Sequence, residues 1–237
     1  MKAILLAAGL GTRLRPITDT IPKCLVPING RPLLGWWFDL LEEHGITEVW
    51  INLHYLPEKV REFLGGESRK LQVHLIDEEQ LLGSGGTLHA NRGIFADAEQ
   101  FYILYADNLT NANLTALRQF NQRHPSPLTV GLFRAENPSA CGIASLDSSG
   151  TIISFEEKPE NPKGDLASAG IFIARPKLFE YLRPEFYPYD FGGHVMPHLV
   201  GRMNGMPIEG YIRDIGTLES LERAEREWGE VRRVGSS

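Results

Sequence analysis

The segment Leu6-Ala7-Ala8-Gly9-Leu10-Gly11-Thr12-Arg13-Leu14, followed ten residues after Arg13 by Lys23, decides how this chain of 237 residues is interpreted. The short apolar run before it predicts a buried strand that leads into a glycine-rich, cationic loop. Gly9 and Gly11 would allow backbone N–H groups to approach an anion closely. Arg13 can donate paired hydrogen bonds to phosphate oxygens, and Lys23 adds a point charge. The segment therefore predicts a polyphosphate site, suited to a triphosphate whose α-phosphorus is attacked.

Two common phosphate-binding patterns are excluded at this loop. The dinucleotide pattern G-x-G-x-x-G needs a third glycine where Leu14 stands, and the pattern G-x-x-x-x-G-K-[ST] is absent from the chain. A tight connection between a strand and a helix, without any ligand, is the structural alternative.

The first half of the chain alternates between strand-like and helix-like segments. Predicted strands are Ala3–Ala7, Glu48–Leu53, Leu71–Ile76, Phe101–Tyr105 and Leu128–Phe133. Predicted helices are Leu33–His44, Pro57–Leu64, one that begins within Gly86–Arg92, and Leu114–His124. This order predicts an α/β fold with a central, mostly parallel (mixed) sheet flanked by helices. Ligands of such sheets bind at the carboxyl ends of strands, where the opening loop and the segments after Ile76 and Tyr105 lie.

The second half changes in character. Asp147-Ser148-Ser149-Gly150 between Cys141–Leu146 and Ile152–Glu156 predicts a β-hairpin. Further predicted elements are a strand at Ala169–Ala174, helices at Pro176–Leu182 and Val195–Met203, a strand at Ile208–Ile212 and a helix at Thr217–Trp228. We interpret residues 1–230 as one domain, with a nucleotide-binding half at about 1–135, a sugar-phosphate-binding half at about 136–230 and a tail at 231–237.

Composition limits the classes of function. The net charge of −6, from 24 basic and 30 acidic residues, argues against a general nucleic-acid or membrane-surface binder. The two cysteines, Cys24 and Cys141, lack metal-type spacing and are expected to be free thiols in a reducing compartment. The first strand begins at about Lys2, which leaves no room for a signal peptide, and no apolar run approaches the ~18 residues of a membrane span. A cytoplasmic protein is expected.

The opening segment resembles the first motif of the sugar-1-phosphate nucleotidyltransferases, L-A-A-G-x-G-T-R-L-x-P-x-T followed by P-K-x-L-x-P-I. Pro16, Thr18 and Ile28 also match this pattern. The resemblance extends over about residues 2–228 and implies a Rossmann-like fold of the short, single-domain form. It also implies transfer of a nucleotidyl group from a nucleoside triphosphate to a sugar 1-phosphate, with Arg13 and Lys23 as catalytic residues.

Two aspartates are candidate metal ligands. Asp107 follows a predicted strand, where a carboxylate can cap a helix, form a turn or bind Mg²⁺. Asp214 in Asp214-Ile215-Gly216-Thr217 can alternatively cap the helix that follows. The spacing does not establish that the two meet. The resemblance implies that both bind one Mg²⁺, although Ala106 replaces the glycine that usually precedes the first aspartate.

The second half holds the candidate sugar-phosphate site. Phe155-Glu156-Glu157-Lys158-Pro159 resembles the F-x-E-K-P motif of the family, which implies that Glu157 binds sugar hydroxyls and Lys158 binds the sugar phosphate; a solvated strand end is the alternative. Pro159 favours an extended Lys158. Gly142, which could instead mark a β-bulge, would let the backbone approach the sugar. Ser168 and Gly170 match N-x-G-I-Y/F, with serine in place of Asn or Thr, or else belong to an ordinary buried strand.

The segment Glu79-Gln80-Leu81-Leu82-Gly83-Ser84-Gly85-Gly86 is expected to meet the base, or else to be a flexible turn. It resembles E-x-x-L-G-T-A-G, which is common in mannose- or heptose-1-phosphate guanylyltransferases, and so favours GTP. The resemblance assigns nucleotide binding to Leu6, Ala8, Gly9, Gly11, Thr12, Arg13, Glu79, Gly83 and Gly86.

Several functional alternatives stay open. A uridylyltransferase acting on a glucose-, amino-sugar- or MurNAc-type 1-phosphate is the main alternative within the family. A cytidylyltransferase for a small alcohol phosphate should lack the Glu157-Lys158-Pro159 strand, and a catalytically silent sensor should have lost some of Arg13, Lys23, Asp107 and Asp214. The expected partners are a nucleoside triphosphate and a sugar 1-phosphate, with no nucleic acid and no membrane. The sugar, the pathway and the oligomeric state are not determined by the sequence, and a homodimer is compatible with it.

Overall fold

The computed structural model describes residues 1–66 and 69–235, which form two compact units. The first unit takes Met1–Ile4, Gln80–Leu104 and Asn113–Glu209. The second unit takes the described residues of Leu5–Glu79, Tyr105–Ala112 and Gly210–Ser237. Each unit is thus assembled from distant parts of the chain, and the expected division near residue 135 does not coincide with a boundary of either.

The strands are β1 Lys2–Leu6, β2 Pro27–Ile28, β3 Arg31–Pro32, β4 Glu48–Leu53, β5 Gln72–Asp77, β6 Phe101–Tyr105, β7 Asn108–Thr110, β8 Leu128–Arg134, β9 Gly142–Leu146, β10 Ile152–Glu157, β11 Leu166–Ala174, β12 Asn204–Pro207 and β13 Ile212–Asp214. The α-helices are α1 Leu33–Glu43, α2 Pro57–Gly65, α3 Ser84–Ala90, α4 Leu114–Arg123, α5 Phe191–His194 and α6 Leu218–Gly235. The predicted α/β class, with a mixed sheet flanked by helices, is confirmed.

Strand pairing differs between the units. In the second unit β4 and β5 are parallel, and the short strands β7 and β13 are antiparallel. In the first unit β11 pairs antiparallel with β6, β8 and β9, and β9 pairs antiparallel with β10. The hairpin predicted around Asp147–Gly150 is therefore confirmed, and it belongs to the antiparallel part of the sheet.

Local sequence explains where the first helix begins and ends. Pro32 precedes α1 with a φ of −55°, and Gly45 lies just past its end with a φ of +69° that favours glycine. Between them, Trp37, Phe38 and Leu41 are almost completely buried, as expected for the apolar face of an amphipathic helix. Helix α1 therefore supplies a large part of the core of the second unit.

Several elements of the second half differ from prediction. Within the predicted helix Val195–Met203 the structure has only a 3₁₀ turn at Met196–Leu199, between the one-turn helix α5 that ends at His194 and strand β12 that begins at Asn204. Pro197 and Gly201, which has a φ of +77°, interrupt a longer helix. The strand predicted at Ile208–Ile212 begins only at its last residue, and the final helix continues to Gly235, into the expected tail; residues 236–237 lie outside the described residues.

Cys24 and Cys141 are free cysteines, as predicted. Among the residues that the structure describes, no helix combines the length and apolar character that a membrane span requires.

Candidate functional site

The loop after β1 contains two glycines with different structural roles. Gly11 has a φ of +63°, and a Cβ placed there would lie 3.0 Å from the Cγ2 of Thr18. The Thr18 hydroxyl also donates a hydrogen bond of 2.7 Å to the carbonyl oxygen of Gly11. Gly9 is exposed, and a Cβ there would meet nothing within 4 Å. Gly11 is therefore needed to form the loop, whereas the space at Gly9 is open to a ligand.

These two glycines allow a paired test. Gly11→Ala should destabilise the protein, because alanine is strained at this φ and crowds Thr18. Gly9→Ala should leave the melting temperature within about 2 °C of wild type, since its Cβ has room. If phosphates approach this backbone, Gly9→Ala should still raise the KM for the triphosphate about tenfold. An unchanged KM in a normally folded Gly9→Ala variant would place the phosphates elsewhere.

The start of the loop is tied to a buried polar network. The Ala7 N–H donates to Oδ1 of Asn52 on β4 at 2.7 Å, and the Asn52 amide donates to Oε1 of Glu78 at 2.9 Å. Asn52 and Glu78 are 3% and 7% exposed. Glu79, which was predicted to bind nucleotide, is exposed. Neither Asn52 nor Glu78 was predicted as a site residue; the sequence signal for Asn52 was a polar residue inside an apolar strand.

Lys23 lies between two carboxylates. Its Nζ donates to Oδ2 of Asp107 at 2.7 Å and to Oδ1 of Asp214 at 3.0 Å, and only 10% of its side chain is exposed. Burial alone would lower the pKa of Lys23, but the charges of both aspartates and the hydrogen bonds to them outweigh it and raise the pKa. Lys23 is therefore charged at neutral pH, and Asp107 and Asp214 converge on one point.

Backbone pairing in the second unit explains why the two aspartates meet. Strands β7 and β13 are paired in a register that sets Asp214 opposite Asn108, the residue after Asp107. The Ile215 N–H then donates to the carbonyl oxygen of Asp107 at 3.1 Å. A short two-stranded ladder, which the sequence analysis did not predict, thus connects residues more than a hundred positions apart.

Arg13 and Gly216 complete this cluster. The Nη2 of Arg13 lies 3.9 Å from Oδ2 of Asp214, and 66% of the arginine side chain is exposed. The Gly216 N–H donates to Oδ1 of Asp214 at 2.6 Å. A Cβ at Gly216 would lie 2.8 Å from Arg13 Nη2 and 3.0 Å from Lys23 Nζ, so a larger residue there would displace these cationic groups. Nearby, Leu6 and Ala8 are partly or fully buried, whereas Thr12 is exposed.

The chemistry of this cluster suits a divalent cation that shares its coordination with substrate. Asp107 and Asp214 are 38% and 53% exposed, so their oxygens are accessible. Mg²⁺ in proteins is commonly bound by one or two carboxylates plus phosphates and water, and these two residues fit that donor set. Within residues 1–66 and 69–235, no group of three or more His, Cys, Asp or Glu side chains is arranged to hold a metal without a substrate.

In the first unit, Glu157 lies against two glycines. Strand pairing sets Glu157 on β10 opposite Gly142 on β9. A Cβ on either Gly142 or Gly192 would lie 2.6 Å from Oε2 of Glu157. The Nζ of Lys158 lies 3.6 Å from Oε1 of Glu157, and 67% of the Lys158 side chain is exposed. The predicted residues Gly142, Glu157 and Lys158 are thus together, and Gly142 has a steric reason to be glycine.

The expectation of an extended Lys158 is wrong. Its φ is +47°, in the left-handed region, although proline follows. The Lys158 N–H donates to the carbonyl oxygen of Cys141 at 3.0 Å, just past the end of the β9–β10 ladder. Tertiary hydrogen bonding at the strand end therefore overrides the local preference that Pro159 imposes.

The environment of Glu157 favours its neutral form. Burial raises the pKa of Glu157, the charge of Lys158 opposes this rise, and the charge of Asp190 adds to it. Asp190 caps the start of α5, where its Oδ1 accepts the Gly193 N–H at 2.7 Å. Gly192 of the same helix lies against Glu157, which places the two carboxylates near each other.

Glu157→Gln should therefore stabilise the free protein at neutral pH. A carboxyl whose pKa is raised by folding favours the folded state below its ordinary pKa, and this contribution is lost as pH rises through the folded value. The glutamine variant avoids that loss, so its melting temperature should exceed wild type by about 1–3 °C at pH 7.5 and by less near pH 4. Thermal melts at both pH values test this; a lower melting temperature at pH 7.5 would contradict the assignment.

A second glycine-rich stretch, Gly83-Ser84-Gly85-Gly86 (the glycine-rich segment), packs against Tyr187–Asp190. The N–H groups of Gly85 and Gly86 both donate to the carbonyl oxygen of Tyr189, at 2.9 and 3.0 Å. A Cβ at Gly83, whose φ is +79°, would lie 2.7 Å from the Tyr189 backbone. These glycines, including the predicted Gly83 and Gly86, therefore have a packing role whether or not they also contact a nucleotide.

Asp190 is a site residue that the sequence analysis missed. Its Oδ2 accepts the hydroxyl of Ser84 at 2.9 Å, and that hydroxyl oxygen accepts the Phe191 N–H at 2.7 Å. The sequence signal was an aspartate immediately before Phe191-Gly192-Gly193, in the position of a helix cap.

Ser168 and Gly170 lie on β11 where its register with β8 shifts, between Ser168 and Phe172. Gly170 has a φ of +66°, so this strand is irregular there, unlike an ordinary buried strand.

Comparison with known proteins identifies the family of this chain. The sequence profile of the Nucleotidyl transferase family matches residues 2–230. The chain is 32% identical to a probable mannose-1-phosphate guanylyltransferase 1 of Oryza sativa subsp. japonica over 91% of its own length and 61% of the relative. It is 30% identical to a UTP–glucose-1-phosphate uridylyltransferase of a Synechocystis species, over 99% of the chain and 63% of the relative. The chain thus spans about three fifths of the length of these curated relatives.

The fold also matches solved structures. A Bacillus anthracis protein assigned as a glucose-1-phosphate thymidylyltransferase, in complex with sucrose, superposes with a TM-score of 0.83 at 25% identity, covering 95% of this chain and 94% of the other. These three proteins are named for three different nucleobases, so similarity alone does not identify the base.

Proposed function

The chain belongs to the nucleotidyl transferase family, and on that premise we propose that it is a sugar-1-phosphate nucleotidyltransferase. It would transfer a nucleotidyl group from a nucleoside triphosphate to a sugar 1-phosphate and release pyrophosphate. The observation that carries this proposal is Lys23, held 2.7 and 3.0 Å from Asp107 and Asp214 in the unit that also contains the glycine-rich loop. This set combines fixed positive charge with accessible oxygen ligands, as transfer between polyanions requires.

The reaction needs positioning and charge neutralisation more than proton transfer. A phosphate oxygen of the sugar phosphate would attack the α-phosphorus in line, forming one P–O bond while the bond to pyrophosphate breaks. This oxygen is already anionic, so no dedicated base is needed. We assign Arg13 and Lys23 to stabilising the transition state and the leaving pyrophosphate, and Lys158 to holding the sugar phosphate. Mg²⁺ bound by Asp107 and Asp214 would neutralise phosphate charge.

We propose GTP as the donor and a mannose- or heptose-type 1-phosphate as the acceptor. The pattern from Glu79 to Gly86 supports GTP, and so does similarity to the guanylyltransferase of Oryza sativa. Similarity of the same order to a uridylyltransferase supports the alternative, UTP with a glucose-, amino-sugar- or MurNAc-type 1-phosphate. A cytoplasmic location agrees with two free thiols, and a homodimer is compatible with this function.

The experiment is a measurement of Mg²⁺-dependent pyrophosphate release. GTP, UTP, dTTP, CTP and ATP would each be paired with mannose, heptose, glucose and amino-sugar 1-phosphates. We expect turnover with GTP and a mannose- or heptose-type acceptor. Turnover only with UTP would establish the alternative, and nucleotide binding without turnover on any pair would favour a sensor.

A further inference from the structure

The first unit contains a cavity of about 740 Å³ to which the sequence assigned no role. Its volume lies within the range of about 300–1,000 Å³ that is typical of small-molecule sites. Four basic side chains line it, those of Arg183, His194, His198 and Arg202. None of the residues proposed to act in nucleotidyl transfer is among its lining residues.

The basic groups are available to bind an anion. Arg183 and Arg202 are exposed, and neither forms an ion pair within the described part of the chain. The Nδ1 of His194 accepts the Asp190 N–H at 2.8 Å, so in the neutral ring the proton is on Nε2, which can donate. Guanidinium groups and imidazole N–H groups are the donors that phosphate oxygens prefer.

An exposed aromatic ring stands beside these groups. Phe186 is 53% exposed, and its ring centroid lies 5.0 Å from that of His194. A large exposed ring in a polar cavity can stack on a planar ligand, such as a nucleobase. The carboxylates of Glu180 and Glu185 also line the cavity and can accept hydrogen bonds from sugar hydroxyls. A nucleoside monophosphate offers a partner to each of these groups.

One short helix connects this cavity with the candidate sugar-phosphate residues of the same unit. In α5, Gly193 and His194 line the cavity, whereas the neighbouring Gly192 lies against Oε2 of Glu157. Tyr189 lines the cavity as well, and its carbonyl oxygen accepts the N–H groups of both Gly85 and Gly86. Any displacement of residues 189–194 would therefore change the packing around Glu157 and the hydrogen bonds made by Gly85 and Gly86.

We propose that this cavity is a second binding site, for a nucleoside monophosphate or a closely related aromatic phosphate. Its occupancy would be transmitted through Tyr189–His194 to Glu157 and to Gly85–Gly86. The binding part of the proposal does not depend on the proposed reaction.

Calorimetric titration with GMP tests the binding part. We expect Phe186→Ala and Arg202→Ala each to weaken this binding about tenfold, and guanosine or inorganic phosphate alone to bind at least tenfold more weakly than GMP. All titrations use a Lys23→Met background, which removes one cation from the proposed reaction site; GMP bound at that site would be unaffected by Phe186→Ala and Arg202→Ala, so only the affinity that these variants change is assigned to the cavity. Arg123→Ala, which removes an exposed arginine outside the cavity in the same unit, is the matched control and should have no effect.

Undiminished GMP affinity in both cavity variants, or no GMP binding at all in the folded background protein, would overturn the proposal. Neither result would affect the proposed transferase, which is measured separately by pyrophosphate release from the wild type.

Hydrogen–deuterium exchange tests the transmission. GMP should slow exchange of the amides in 189–194 and 83–87, and Phe186→Ala should remove both effects. Slower exchange confined to 189–194 would overturn the coupling to the glycine-rich segment.

Discussion

Lys23→Met should lower the rate of pyrophosphate release by at least about 10²–10³-fold while the protein remains folded. Loss of one preorganised donor to a developing charge typically has an effect of this size. Methionine keeps the apolar stem of a side chain that is only 10% exposed, so packing is largely preserved. The loss should therefore appear in kcat of a folded protein, whose melting temperature falls because Asp107 and Asp214 lose their shared cation. Lys23→Arg should not restore activity. The planar guanidinium group is larger than the ammonium that lies 2.7 and 3.0 Å from the two carboxylates.

Arg15→Ala is the matched control for this variant. Arg15 is a nearby cation whose Nε lies 3.2 Å from Asp19, with 59% and 51% of the two side chains exposed, and such surface pairs contribute little. Its activity should remain within about twofold of wild type. Turnover of Lys23→Met at the same level as Arg15→Ala would refute the assigned role of Lys23.

Asp107→Asn and Asp214→Asn should each lower turnover by a similar factor of about 10²–10³. Each substitution removes the charge of one proposed metal ligand and leaves an amide of nearly the same shape. We therefore expect both variants to require a higher Mg²⁺ concentration for half-maximal rate than the wild type. The measurement is a Mg²⁺ titration of the initial rate, with circular dichroism to verify folding.

Asp39→Asn serves as the control for the aspartate variants. Asp39 is 51% exposed and pairs with Arg31 at 2.6 Å in the same unit, away from the cluster. Its Mg²⁺ dependence should match that of the wild type. If either cluster variant kept a wild-type rate and Mg²⁺ dependence, the metal assignment of that aspartate would be wrong.

The first half of the fold was predictable because local signals there agree with the tertiary structure. The segments Glu48–Leu53 and Phe101–Tyr105 have the predicted bounds as strands, since both are mostly apolar runs, as buried strands of a sheet commonly are. Helix α1 has proline at its start and glycine after its end. In these elements the residue preferences and the packing of the core select the same conformation.

The rest depends on contacts between distant residues, which local patterns do not encode. Asn108–Thr110 is a three-residue strand that exists because it pairs with Ile212–Asp214. The positive φ of Lys158 depends on a hydrogen bond to Cys141, against the preference imposed by proline. Likewise, Asp190 and Glu78 can be recognised as members of hydrogen-bond networks only when their hydrogen-bond partners and the burial of Glu78 are known. Motifs named Lys23, Asp107 and Asp214 as candidates, but the contacts that bring these three side chains together could not be predicted from local sequence.

The pairing of β7 with β13 has a consequence for protein synthesis. Asp214 lies 191 residues after Lys23, so in a nascent chain that has left the ribosome only as far as β12 the lysine ammonium lacks this partner, and β7 lacks the strand with which it pairs. The proposed divalent cation would then lack one of its two carboxylates. Ribosome-bound intermediates of this length should therefore be unable to consume nucleoside triphosphate. Turnover should begin only once β13 has been translated and has paired with β7.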